Sequence, residues 1–156
     1  IEPSDFVYLD AGTTTGFMID YITETSAKFV TNAVVHAQKL AARGMYVYLI
    51  GGELKGSTEA IVGSQAMNTL RNYHFTKGFF GSNGVNVAEG FTTPDASEAQ
   101  IKETALEQCK KRYVLCDASK FDNVSCVTFG EFNTATILTD ACPKGYKSYD
   151  NIVVCE

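Results

Sequence analysis

The chain has 156 residues, 45% of them hydrophobic, enough to bury one sizeable core, and no Pro- or Ser-rich linker divides it, so residues 1–156 read as a single domain. A net charge of −5 and a pI near 5.0, with no basic cluster longer than Lys110-Lys111-Arg112, exclude the electrostatic footprint of a nucleic-acid binder. No apolar run approaches the roughly 20 residues that span a bilayer. No basic-then-apolar leader opens the chain, which therefore reads as soluble, unexported and cytoplasmic. The five cysteines (Cys109, Cys116, Cys126, Cys142, Cys155) are odd in number, contain no C-x-x-C pair and mostly fall in apolar runs, as buried free thiols do. The sequence opens at Ile1 without an initiator methionine and reads as a piece of a longer protein.

The first predicted strand, Phe6 to Leu9, runs straight into Asp10-Ala11-Gly12-Thr13-Thr14-Thr15-Gly16 and a helix-like segment. This order places free backbone N–H groups and three threonine hydroxyls at the positive end of a helix dipole, an arrangement suited to a phosphate. No Gly-Lys-Ser/Thr follows, which excludes a nucleoside-triphosphate P-loop. The alternative is an ordinary strand-to-helix turn in which one threonine caps the helix. Further strands are predicted at 28–31, 46–50, 77–81, 113–116, 125–129, 136–138 and 151–154. Between the earlier ones lie helical spacings, at Met18/Tyr21/Ile22, Val34/Ala37/Leu40/Ala41, Met67/Leu70/Arg71 and Ala99/Lys102/Leu106/Cys109. Strand alternating with helix predicts crossover units and a mostly parallel sheet with flanking helices. The unbroken apolar run Tyr46 to Ile50 fits a strand covered on both faces.

Ligands of such sheets bind outside the carboxyl ends of the strands. Those ends read Asp10-Ala11-Gly12-Thr13, Thr31-Asn32, Gly51-Gly52, Gly81-Ser82-Asn83-Gly84 and Asp117-Ala118-Ser119-Lys120. Each alone is compatible with a turn; together, at one edge, they point to a polar small-molecule site. Thr92 to Glu98 reads as a helix start, with Asp95 and Glu98 in capping-box spacing. Lys102 shares a helical face with Ala99, Leu106 and Cys109, so it either points inward or snorkels from the edge of the stripe. Lys120 is placed to neutralise a phosphate or to pair with Asp117. Neither His36 nor His74 has a second ligand at metal spacing, so both read as structural and no metal site is expected. There is no Gly-x-Ser-x-Gly elbow and no cysteine with a histidine nearby in sequence, which leaves covalent hydrolysis without support.

Taken in order, Asp10-Ala11-Gly12-Thr13-Thr14-Thr15, Val30-Thr31-Asn32, Gly51-Gly52-x-Leu54, Val62-Gly63-x-x-Ala66, Lys77-x-Phe79-x-Gly81-x-Asn83-Gly84, Ala99-x-x-Lys102 and Asp117-x-Ser119-Lys120-Phe121 form a recognisable set. The set resembles the C-terminal effector-binding domain of the DeoR family of bacterial repressors, of the type controlling sugar phosphotransferase operons. The resemblance implies an α/β fold, a mostly parallel Rossmann-like sheet similar to those of ribose-5-phosphate isomerase, glucosamine-6-phosphate deaminase and CoA transferases. It implies a phosphorylated sugar as effector, a homo-oligomer, no cofactor, and a winged helix-turn-helix domain N-terminal to Ile1 through which alone the full-length repressor binds DNA. Carried over by motif, Gly12, Thr13, Thr14 and Thr15 hold the phosphate, while Asp10, Thr31, Asn32, Gly52, Asn83, Gly84, Lys102 and Lys120 line the sugar.

The related isomerase looks to have an acidic Asp-Gly-Ala-Asp-Glu element where this chain has Gly81-Ser82-Asn83-Gly84, and a catalytic glutamate near the position of Lys102. An amide cannot abstract a carbon-bound proton, and a lysine in place of the glutamate removes the general base that aldose–ketose isomerisation needs, so the expected role is a sensor and not an enzyme. The Glu89 to Ser97 segment, read as a loop, and the helix that follows it are the expected mobile element. The competing reading is a sugar-phosphate isomerase-like enzyme with Glu98 or Asp95 as base and Lys102 or Lys120 stabilising an enediolate.

Overall fold

The structure, a computed structural model, describes residues 1–155. In chain order the elements are β1 (Phe6–Leu9), α1 (Thr13–Met18), β2 (Lys28–Thr31), α2 (Val34–Ala42), β3 (Tyr46–Leu49), β4 (Glu53–Lys55), β5 (Ala60–Val62) and α3 (Ser64–Leu70). They continue with β6 (Phe75–Gly81), β7 (Gly84–Asn86), β8 (Gly90–Thr93), α4 (Ala96–Glu107), β9 (Cys109–Leu115), β10 (Val127–Gly130), β11 (Thr136–Thr139) and β12 (Ile152–Val154).

Seven strands form one sheet in the order β12-β11-β9-β6-β1-β2-β3, every pair parallel. A three-stranded antiparallel sheet, β10-β8-β7, and the β4-β5 hairpin stand beside it. This is the mostly parallel α/β architecture that strand and helix alternation predicts. The period of two along each strand sorts the core. Val7 and Leu9 of β1 point to one side, joining Phe29, Phe79, Ile19 and Leu40 under α1 and α2. Tyr8, between them, points to the other, joining Phe80, Val114 and Ile137 in the larger cluster with α3, α4 and the small sheet. Helix α2 fits its side because His36, Ala37 and Leu40 fall on one buried face, and it stops at Gly44, whose φ of 76° a side-chain-bearing residue adopts at a cost.

Several expectations are corrected. The run Tyr46 to Leu49 is apolar without being covered on both faces: β3 is an edge strand, with Tyr46 58% exposed, Tyr48 39% and Leu49 45%. Apolar composition alone does not separate a central strand from an edge. The strand predicted from Tyr113 begins at Cys109, so the basic triplet Lys110 to Arg112 lies in β9, paired beside β6. Glu89 to Ser97 is not a loop, because Gly90–Thr93 is the fully buried central strand of the small sheet. Of the cysteines, Cys109 and Cys116 are buried, where desolvation pushes both thiols up to about 12, while Cys126 and Cys155 are exposed. All five are free. Among the described residues no helix is long and apolar enough to cross a membrane, and no group of three or more His, Cys, Asp or Glu is placed to hold a metal ion.

Candidate functional site

In strand order the connections reverse between β1 and β6: β2 and β3 extend the sheet to one side, β9, β11 and β12 to the other. The loops leaving β1 and β6 therefore diverge to opposite faces and leave a crevice at their carboxyl ends, as a doubly wound sheet requires. A cleft of about 690 Å³ occupies this place. Its wall is built from Ala11 to Thr14 after β1, Gly81 to Asn83 after β6, the start of α2, the tip of the β4-β5 hairpin, and Glu98, Lys102 and Lys120.

At the β1 side, Gly12 precedes α1 with φ of 154°, and no side chain caps the helix. The capping-threonine alternative is thus not realised. Gly16 N–H donates to the Gly12 carbonyl at 3.0 Å, so the N–H groups before it have no partner within the helix. Gly12, Thr13 and Thr14 are exposed in the cleft. Thr15 is different: it is fully buried, and its hydroxyl donates to the Asp10 carbonyl at 2.7 Å, with His36 Nε2 3.1 Å away. Thr15 stiffens the turn and presents no hydroxyl to the cleft.

Beneath the turn lies Asn32, 2% exposed, whose Oδ1 accepts from Tyr8 Oη and from Ala11 N, both at 3.0 Å, while its Nδ2 donates to the Ile61 carbonyl at 3.2 Å. It ties β1, β2 and β5 together. Thr31 is also buried, and its hydroxyl accepts from Ala33 N at 3.1 Å. Neither residue belongs to the cleft wall. The same holds for Gly52 and Gly84, whose missing side chains serve packing. A Cβ on Gly52 would lie 2.8 Å from the Val62 carbonyl, and one on Gly84 2.2 Å from the Asn123 carbonyl. These four residues of the expected sugar-lining set shape the wall from behind.

Across the cleft, Lys102 points inward, settling the two readings of its helical face. Its Nζ pairs with Asp10 Oδ2 and donates to the Gly81 carbonyl at 3.1 Å, while Gly81 N donates to the same Asp10 oxygen at 3.1 Å. Asp10 is 1% exposed and Lys102 6%. Burial pushes the Asp10 carboxyl up, and the Lys102 charge, its hydrogen bond and the Gly81 N–H pull it back. A carboxylate behind a cation under a glycine carbonyl fixes the Lys102 ammonium in the floor of the cleft. Asn83 is oriented by Thr93, whose hydroxyl reaches Asn83 Oδ1 at 3.3 Å, which leaves the amide N–H₂ turned elsewhere. Lys120 ends a short turn capped by Asp117, whose Oδ1 accepts from Ser119 N at 2.8 Å and also from the Ser119 hydroxyl. Those hydrogen bonds hold the Asp117 carboxyl below the usual range and occupy it. Lys120 is left facing the cleft.

The capping box at α4 is half formed. Asp95 Oδ1 accepts from Glu98 N at 2.9 Å, but the Glu98 carboxylate turns outward, accepting from Thr58 Oγ1 at 2.7 Å and meeting Lys55 Nζ at 3.4 Å. Lys55 also pairs with Asp95 at 2.7 Å. These contacts strap the β4-β5 hairpin, with Ser57, Thr58 and Glu59, across one side of the cleft.

Residues 1–141 match the family described as the DeoR C terminal sensor domain. The chain belongs to this family. The sensor domain is 44% identical over 140 residues to the HTH-type transcriptional regulator FruR of Bacillus subtilis (strain 168), covering 89% of this chain and 56% of that protein. It is 30% identical over 145 residues to the lactose phosphotransferase system repressor of Streptococcus mutans serotype c, covering 91% and 57%. It thus spans a little over half the length of these relatives. Among solved structures, ribose 5-phosphate isomerase A from Neisseria gonorrhoeae matches with a TM-score of 0.54 at 15% identity, over 81% of this chain and 49% of that one. That likeness is one of fold.

The DeoR sensor domain thus has a preformed polar cleft whose carboxylates are largely engaged: Asp10 with Lys102, and Glu98 with Thr58 and Lys55. The relatives named above are a transcriptional regulator and a repressor. Reading the strand ends one by one misses His36, Lys39 and the hairpin tip Ser57 to Glu59, all part of the cleft wall. A histidine in the first turn of a crossover helix, right after a polar strand end, is a signal that could have found His36 and, one turn on, Lys39; nothing comparable marks the hairpin tip.

Proposed function

We propose that this sensor domain binds a phosphorylated sugar in the cleft and thereby modulates DNA binding by the full-length repressor of a sugar-catabolism operon, DNA being contacted by a separate N-terminal helix-turn-helix region. The carrying observation is the uncapped turn at Gly12 to Thr14, whose open N–H groups and threonine hydroxyls share one cleft with the fixed ammonium of Lys102 and with Lys120. Backbone N–H groups at a helix start suit a phosphate, and Asn83, Glu98 and the hairpin tip are spaced around the remaining volume to meet hydroxyls. Asp10, Thr15, Thr31, Asn32, Gly52 and Gly84 support the site from behind.

The test is a thermal-shift screen of the domain against hexose and pentose phosphates, fructose 1-phosphate and tagatose 6-phosphate included, each beside its parent sugar and inorganic phosphate. At 100 times its dissociation constant a ligand adds about 2.7 kcal/mol to the native state, which raises Tm by roughly 5–10 °C in a domain of this size. One phosphosugar is expected to shift Tm while its parent sugar does not. Equal shifts by sugar and phosphosugar, or none by any compound at millimolar concentration, would overturn the reading.

A further inference from the structure

His36 has no metal partner and no catalytic companion, yet its ring stands in the cleft wall, 7% exposed, packed so closely on Gly16 that a Cβ there would lie 3.0 Å from Cε1. Its hydrogen bonding fixes where the ring proton sits. The Thr15 hydroxyl has one proton and two carbonyls in reach, Asp10 at 2.7 Å and Gly12 at 3.0 Å, of which the shorter contact is to Asp10. With that proton on a carbonyl, His36 Nε2, 3.1 Å from the same oxygen, is assigned as the donor, and the neutral ring then carries its proton on Nε2. Nδ1 is bare. No side-chain hydrogen bond engages Nδ1, and no fully buried side-chain nitrogen or oxygen among the described residues lacks a partner, so Nδ1 is not sealed from solvent, on a ring that forms part of the cleft wall. Burial pushes the imidazole below its usual value near 6.5, and the Lys39 charge adds to this against the opposing pull of the Gly12 carbonyl. The free domain at pH 7 therefore holds a neutral ring beside the Gly12 turn.

A bare lone pair facing an anionic oxygen repels it, whereas a proton between the two makes a charge-assisted hydrogen bond. We propose that His36 is part of the anion site, and that binding of a phosphate dianion at the Gly12 to Thr14 turn is coupled to uptake of one proton from solvent, held between His36 Nδ1 and a phosphate oxygen. This rests on the cleft being a phosphate site. No covalent bond changes; the complex gains one ligand and one proton. The charges around the ring agree with this direction. Helix α1 presents the Thr15 hydroxyl and backbone carbonyls. Helix α2 presents Lys39, whose Nζ is held at 2.7 Å by both the Gly16 carbonyl and Asp20, the latter compensating its charge. The hairpin contributes Glu59, and the far wall Glu98, Lys102 and Lys120. The incoming dianion is the largest new charge any of these elements meets.

The consequence is a pH-dependent affinity. Proton uptake weakens binding as pH rises, by up to tenfold in Kd per unit between the free ring's value and that of the complex. Calorimetry of the domain at pH 7.5 with fructose 1-phosphate and with inorganic phosphate, in buffers of different ionisation enthalpy, counts the protons directly. Nitrogen NMR of the histidine ring in the same samples locates them. With fructose 1-phosphate, close to one proton taken up, a protonated His36 in the complex, and no uptake in His36→Gln are expected; with inorganic phosphate both counts fall by the fraction of a proton its monoanion releases. Gln keeps a donor for Thr15 and cannot titrate, so binding should survive there, weakened roughly 10- to 100-fold at pH 7.5, with only the pH dependence that the ligand's own second ionisation imposes. Phosphate binding with no proton uptake, or a ring that stays neutral in the wild-type complex, overturns the role of His36 and leaves the phosphate site standing. Absence of binding by either compound at millimolar concentration removes the site and the proposal together.

Discussion

At the residue scale the cleft depends on side chains that meet only after folding. Lys102 and Asp10 lie 92 positions apart and share an interior where either charge alone is costly. Lys102→Met should therefore destabilise the domain by about 3–5 kcal/mol in urea unfolding, because it leaves Asp10 buried without its cation. The double variant Asp10→Asn/Lys102→Met should recover most of that loss. If the two losses simply add, the pair is not the coupled unit its geometry implies. The sequence put Lys102 on the apolar face of α4, by its spacing from Ala99 and Leu106, but left open whether it points inward or snorkels from the edge, which the structure settles. Its partner was not legible, because helical periodicity says which way a side chain points and nothing about what a distant strand end places in front of it.

Among the elements, β1 is pinned at both ends. At its carboxyl end it carries the Gly12 turn, and at its start Asp5 accepts from Lys77 Nζ at 2.6 Å and from Thr76 Oγ1 at 2.8 Å, both on β6. Burial pushes the Asp5 carboxyl up, but the hydrogen bonds from Lys77, Glu2 N and Thr76 and the charge of Lys77 win and hold it at about 2, against an ordinary value of 3.8. A carboxyl depressed in the fold contributes stability that is complete above its unfolded value. That contribution is lost as pH falls from about 4 toward 2. The amount is about 2 kcal/mol, and Asp5→Asn should remove it at neutral pH and flatten stability across pH 2 to 4 relative to wild type. A parallel slope in both proteins, followed by chemical denaturation, would show that Asp5 is not the titrating group. The β4-β5 hairpin illustrates the opposite case. It is three residues per strand, carries no alternating apolar pattern long enough to notice, and is held by Lys55 and Thr58 reaching the start of α4.

Across the whole molecule, one sheet carries both core clusters on its two faces, and the same strands contribute to each, Tyr8 on one side and Val7 and Leu9 on the other. Neither cluster can lose its packing while the strand between them keeps its register. The domain is accordingly expected to unfold in one cooperative step, with far- and near-ultraviolet circular dichroism giving coincident midpoints. Separate midpoints would divide the chain into two folding units.

The sequence by itself determined the α/β class, the turn at Asp10 to Gly16 and the edge of the sheet where polar residues gather, because strand and helix periods and glycine chemistry are local properties of adjacent residues. Tertiary structure decided which strand lies beside which. Strand order puts the reversal between β1 and β6, and so the cleft, where residues from both loops meet. It also turned Thr31, Asn32, Gly52 and Gly84 from the cleft into its support, and His36 from the support into its wall. Proximity across a sheet is set by long-range packing, and no local pattern in a chain encodes which of several polar strand ends will face the same empty volume.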